Sequence, residues 1–161
     1  MMPGARGSSA RVAGLLMLGL LLAQQLAGWR WPGLDRLQTG DAYMQLSGFV
    51  LLALVAHQWY FSFLRASGQV ARAAAMAEPH KLAGACAPLP LYLHSQVIGH
   101  GYLAVLSVVF LAVLATGLLN LAPAGRSRAA PRGIRVLLHV ALSTGLLFLL
   151  GYHVYISYLY E

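Results

Sequence analysis

The sequence predicts an all-α integral membrane protein, one transmembrane domain over residues 1–161 built as a bundle of five helices, with four as the alternative. Three observations carry that expectation: the excess of apolar residues, their gathering into runs of membrane length, and the uneven placing of the cations between the runs. Of 161 residues, 59% are apolar and only 9% are charged. Soluble domains carry roughly 25% charged residues, so this chain cannot cover a water-facing surface, which excludes an ordinary soluble enzyme and a disordered tail. A single cysteine excludes a disulfide framework, a four-thiolate iron–sulfur site and a Cys-x-x-Cys-His covalent haem site. Eleven Lys and Arg against four Asp and Glu give a net charge of +7. Strung between apolar runs, these cations read as membrane-flanking charges and not as a nucleic-acid surface.

Three runs are plain: Val12–Gly28, Ala42–Leu64 and Ile134–Tyr160. Each reaches the ~20 residues that a hydrocarbon core about 30 Å thick requires. The stretch Leu82–Leu121 carries no charge, and as one helix it would be about 60 Å long, twice that thickness. It therefore holds either a loop and one helix or two helices. Val97-Ile-Gly-His-Gly101 is a credible tight connection, because its two glycines permit a sharp turn.

The charges choose between the two. With four crossings, Arg6, Arg11, Arg65, Arg72 and Lys81 fall on one side and Arg30, Arg36, Arg126, Arg128, Arg132 and Arg135 on the other, five against six. With five, the first side gains the four arginines from 126 to 135 and the split becomes nine to two. That asymmetry is what the positive-inside rule expects. The expected helices are about 12–28, 42–65, 79–96, 102–121 and 134–160, with the N-terminus cytoplasmic and the C-terminus outside. Pro88 and Pro90 kink the third, which membrane helices tolerate when neighbours re-satisfy the backbone. The first run also reads as a signal peptide ending in a poor cleavage site, Leu26-Ala-Gly28; cleavage would leave four helices.

The connections at 29–41, 66–78 and 122–133 are short, the last a basic loop. None has room for a flavin or nicotinamide domain. Gly99-x-Gly101-x-x-Ala104 matches a dinucleotide fingerprint by letter only, without the strand and βαβ unit that give the letters meaning.

The chemistry lies in six histidines, at 57, 80, 94, 100, 139 and 153. Ionisable residues within a membrane are functional-site candidates by default. His94 follows His80 by the same interval as His153 follows His139, fourteen positions in each case. Fourteen steps of about 100° fall some 40° short of four turns and climb about 21 Å, so both rings on a helix face one way, near opposite membrane surfaces. In the five-helix arrangement the third and fifth helices run parallel. His80 then lies level with His139, and His94 with His153. Two such helices can clamp two stacked haems, each iron taking one imidazole from each helix. The small residues of Leu82-Ala-Gly-Ala-Cys-Ala87 and Ser143-Thr-Gly145 let a flat macrocycle approach, and Lys81 and the cytoplasmic arginines suit haem propionates. Against this stand two plainer readings: small residues are ordinary packing positions between membrane helices, and histidines can bridge helices without metal.

His80-Lys-Leu-Ala-Gly-Ala-Cys-Ala-Pro-Leu-Pro-Leu-Tyr-Leu-His94, with His139 and His153 downstream, resembles the ferric reductase-like transmembrane domain over roughly residues 42–160. That family includes the membrane parts of NADPH oxidases and ferric reductases, and the haem-binding subunit of a bacterial periplasmic methionine sulfoxide reductase. The resemblance implies two b haems, the inner on His80 and His139 and the outer on His94 and His153. The chain departs from the family in its two prolines within the third helix and in lacking the usual sixth.

His57 and His100 are spare; they would replace His80 and His94 if the third helix is not a true span, giving a one-haem protein with His153. Trp29, Trp31, Trp59, Tyr60, Tyr152, Tyr155, Tyr158 and Tyr160 near helix ends read as an interfacial aromatic belt, and Cys86 as a packing residue. The acidic residues are too scattered for paired acid–base work, so no catalytic residue is expected. The expected function is a b-type cytochrome of the cytoplasmic membrane, carrying electrons from a quinol or a flavoprotein to a redox acceptor outside. A metal-ion or proton transporter component and a structural subunit of a membrane complex are the other classes left open.

Overall fold

Glycine and proline set where the helices start and stop. The computed structural model describes residues 3–120 and 132–159, and among these there are helices and connections but no strand. The helices are α1 (Pro3–Ala27), α2 (Pro32–Leu37), α3 (Asp41–Ala66), α4 (Val70–Cys86), α5 (Pro88–His94), α6 (Tyr102–Asn120) and α7 (Arg132–Leu159). The basic loop at 122–131 and Tyr160, both used in the sequence argument, lie outside the described residues.

Four segments are long and apolar enough to cross a membrane: Ser9–Ala27, Asp41–Ala66, Tyr102–Asn120 and Gly133–Leu159. They answer the first, second, fourth and fifth expected helices and make the chain a multi-pass, all-helical membrane protein. The expected third helix over 79–96 is not found as one element. Helix starts earlier, at Val70, keeps Pro79 inside it, and breaks after Cys86. The physical reason is at Pro88 and Pro90, which have no N–H to offer Gly84 and Cys86. Ala87 keeps helical angles (φ −58°, ψ −26°) and serves both as the end of α4 and the cap of α5. The chain thus turns into α5 without leaving the helical region, and the two pieces together fall short of an unbroken span.

The chain divides into two compact units, Met1–Val97 and Ile98–Glu161. In the first, α4 and α5 pack on both α1 and α3. Ala73, Ala85 and Ala87 are buried there, and their small side chains allow the close approach that membrane helices use in place of a hydrophobic driving force. Glycines close two helices of this unit. Gly28 (φ +63°) ends α1, with the amide of Trp29 reaching back to the Gln24 carbonyl at 3.3 Å; Gly68 (φ +72°) ends α3, with Gln69 reaching Leu64 at 3.0 Å. A left-handed residue after the cap is the usual way to satisfy the last carbonyls. Gly68→Ala has no neighbour to strike but must still adopt that backbone, at about 1 kcal/mol; a small fall in thermal midpoint in detergent is the expected readout.

Beyond α5 the first unit is closed by a polar knot. Gln96 is fully buried at 0% exposure. Its Oε1 accepts from the Trp31 amide at 2.8 Å and the Tyr92 hydroxyl at 3.0 Å, and its Nε2 donates to the Trp31 carbonyl at 3.3 Å. Its own carbonyl accepts from Gln24 and Gln25 on α1. Gln38 donates to the carbonyls of Tyr92 and Leu93 at 3.1 and 3.0 Å, and the Tyr43 hydroxyl to Leu93 at 2.8 Å. Helix-end carbonyls of α5 that no further turn can satisfy are capped in this way by Gln38 and by Tyr43 of α3, and the Gln96 carbonyl just beyond by side chains of α1.

In the second unit α6 and α7 form one helix pair, with Leu114, Leu118 and Leu146 buried.

Candidate functional site

The histidines expected as ligands fall two in each unit: His80 on α4 and His94 on α5, His139 and His153 both on α7. In each unit a second helix supplies the residues that hold them.

Along the first unit, α4 and α5 run antiparallel to α3. Phe61 stacks on His80 with ring centroids 4.5 Å apart, and the Arg65 guanidinium lies over the Phe61 ring at 5.9 Å. At the other end, Ser47 Oγ lies 3.0 Å from His94 Nδ1, and the Tyr43 hydroxyl bonds Leu93. Ser47 and Phe61 are spaced along α3 by the same fourteen positions that separate His80 from His94. The histidine-bearing segment therefore follows a membrane-length helix over about 21 Å of its axis, despite its break at Ala87.

The second unit repeats the spacing. Thr116 Oγ1 lies 3.0 Å and the Val113 carbonyl 3.1 Å from His139 Nδ1. The Tyr102 hydroxyl lies 3.4 Å from His153 Nδ1, and the Tyr102 ring meets Tyr152 edge-on at 5.3 Å. Tyr102 and Thr116 stand at that same fourteen-position interval on α6. Neither unit brings its two histidines together; each holds them at opposite ends of a helix pair.

The bonds decide the chemistry of the rings. A carbonyl only accepts, so Nδ1 of His139 carries the proton, and the lone pair that a metal would take is on Nε2. Metal-ligating histidines commonly donate their other ring N–H to a carbonyl or another acceptor, which fixes tautomer and orientation. Among the described residues no three His, Cys, Asp or Glu side chains group as a metal ion would require.

Two cations lie close in sequence to the histidines. Lys81 pairs with Glu78 at 2.6 Å, one turn earlier on α4. Arg135 stands four residues before His139, on the same face of α7. Its Nε and Nη1 are buried with no hydrogen-bond partner, the condition in which an anion is stabilising. The sequence counted Arg135 only as a topology charge.

No family model, curated protein or solved structure matches this chain. The residues themselves must carry the reading.

Of the spare histidines, His57 lies half-buried on α3, and His100 is exposed in the connection before α6. The partners on α3 and α6 were missed by the sequence reading. Their signal was present, as hydroxyl or aromatic residues set fourteen apart on the helix packed against each histidine pair.

Proposed function

We propose that this chain is a b-type haem membrane cytochrome that carries electrons across the cytoplasmic membrane. His80, His94, His139 and His153 are its axial ligands. The observation that carries the reading is the repeated fourteen-position register. In each unit two histidines lie about 21 Å apart along a helix pair, and each meets an aromatic ring or a hydroxyl group of the facing helix. In this reading the helical segment from Val70 to His94 is a fifth, broken crossing beside α3, and the N-terminus is cytoplasmic as the nine-to-two charge split requires. His80 and His139 remain the ligands expected on the inner side from the sequence, and His94 and His153 those expected on the outer side. Haem supplies the one-electron chemistry. The chain's own residues hold its iron, orient imidazoles through Nδ1 where a hydroxyl or carbonyl meets it, offer the Arg135 guanidinium to a propionate and surround the macrocycle with a low-dielectric shell. Electrons enter from a quinol or a separate flavoprotein and leave to an acceptor outside, so the chain serves as one subunit of an oxidoreductase system.

The test is a dithionite-reduced minus air-oxidised spectrum of the purified full chain, with pyridine haemochrome quantification. About two b-type haems per chain are expected, in keeping with four single imidazole ligands. A colourless protein from cells supplied with haem would overturn the reading and leave the transporter and structural classes.

A further inference from the structure

The same dipeptide pattern supports one histidine in each unit, Ser47-Gly48 under His94 and Thr116-Gly117 under His139. We propose that these two hydroxyl–glycine dipeptides are positioning elements that lock His94 and His139 in the Nδ1–H tautomer and set the electron density that each offers through Nε2. The proposal rests on the haem reading and adds residues to it.

The direction of each bond follows from how the hydroxyl proton is used. Thr116 Oγ1 lies 2.9 Å from the carbonyls of both Ala112 and Val113. Its proton is committed to its own helix, so toward His139 Nδ1, 3.0 Å away, its oxygen accepts. Ser47 Oγ is placed alike, 3.2 Å from the Met44 carbonyl, which can take its proton, and 3.0 Å from His94 Nδ1, toward which it would then accept. The glycine that follows lies against the ring, tightly at Gly117 and at van der Waals distance at Gly48. A Cβ at Gly117 would stand 3.2 Å from His139 Cε1, and one at Gly48 would stand 3.4 Å from His94 Cε1. Cε1 lies between the two ring nitrogens, so a side chain here would press on the edge that carries them both.

The pattern is not a general feature of the histidines. His80 stacks on the ring of Phe61, and His153 meets both the ring and, at 3.4 Å, the hydroxyl of Tyr102; neither partner is followed by a glycine. Each unit therefore holds one imidazole on a hydroxyl–glycine step and one on an aromatic ring. The order along the facing helix is reversed, with Ser47 early in α3 and Thr116 late in α6. An acceptor at Nδ1 raises the basicity of the metal-bound nitrogen, which favours ferric over ferrous iron. Thr116 and the Val113 carbonyl both act on His139, so that ligand is the more electron-rich of the two.

Two readouts test this on the full-length protein. In haem-free protein labelled with ¹⁵N in its histidine rings, His94 and His139 should show the Nδ1–H tautomer, and Ser47→Ala should weaken that preference at His94. In haem-loaded protein, Thr116→Val should raise the midpoint potential of the haem on His139 and leave the other unmoved. Ser47→Ala should do the converse, and Thr116→Ser should restore the wild-type value. Gly117→Val should lower haem affinity at its site by about 10-fold, as loss of an outer-shell contact does. Unchanged tautomers and unchanged potentials in both hydroxyl variants would reduce the dipeptides to packing and overturn the proposal. Absence of haem from the wild-type protein would instead overturn the cytochrome reading, while the ring ¹⁵N shifts would still decide whether the dipeptides set the tautomer.

Discussion

His139→Ala is expected to leave a folded protein that has lost one of two haems. The side chain is half-buried on a long helix, and alanine is the strongest helix former, so α7 persists. What disappears is a proposed ligand, together with the bonds from Nδ1 to Thr116 and Val113. If His139 holds one of two haems, the reduced-minus-oxidised amplitude should fall by about half. The paired variants carry more information than the single one. If His80 and His139 share an iron, the double variant His80→Ala/His139→Ala loses no more haem than either alone, whereas His94→Ala/His139→Ala loses both. Loss of both haems from the first double variant would reject the pairing; full retention in His139→Ala would reject that residue as a ligand.

Gln96→Leu is the second large effect, and it is one of stability. Leucine is close to glutamine in size but cannot answer the Trp31 amide, the Trp31 carbonyl or the Tyr92 hydroxyl, all of which Gln96 satisfies. A buried polar group left without its partner costs about 1–3 kcal/mol, and at least two are stranded here. The expected loss is on the order of 3 kcal/mol, large beside the usual effect of a point change. Thermal unfolding of the detergent-solubilised variant is the check. A change below about 0.5 kcal/mol, the range of an ordinary surface substitution, would mean that the knot does not hold the end of α5.

The sequence makes the four apolar spans legible because their signal is additive: each residue contributes to a run long enough to cross lipid. The segment carrying His80 and His94 is legible only in part. Its alanine-rich start, Val70–Ala77, has helix propensity but little hydrophobicity, so it reads as a connection. Pro88 and Pro90 conceal a helix whose last carbonyls, at Tyr92 and Leu93, are satisfied by Gln38 and Tyr43, which lie far back in the chain. The histidine pairs themselves can be read directly, since their repeated spacing is local. Ser47, Phe61, Tyr102 and Thr116 gain meaning only from the helix that packs against them. A serine or threonine in an apolar run bonds its own backbone in any case, and nothing along the chain says which face a neighbour will use. The glutamine knot is beyond sequence for the same reason. Four glutamines scattered from 24 to 96 become a group only when α1, α3 and α5 meet.

The proline break after Cys86 also bears on how the protein enters its membrane. An apolar helix leaves the translocation machinery because it partitions into lipid unaided. The Val70–His94 segment carries Arg72, Glu78, Lys81 and three prolines, and lipid alone gives its broken backbone nothing to bond. Its partners are α1 and α3, against which it packs. The first unit is then completed by docking rather than by independent insertion, and His80 and His94 reach their positions only when that docking is done.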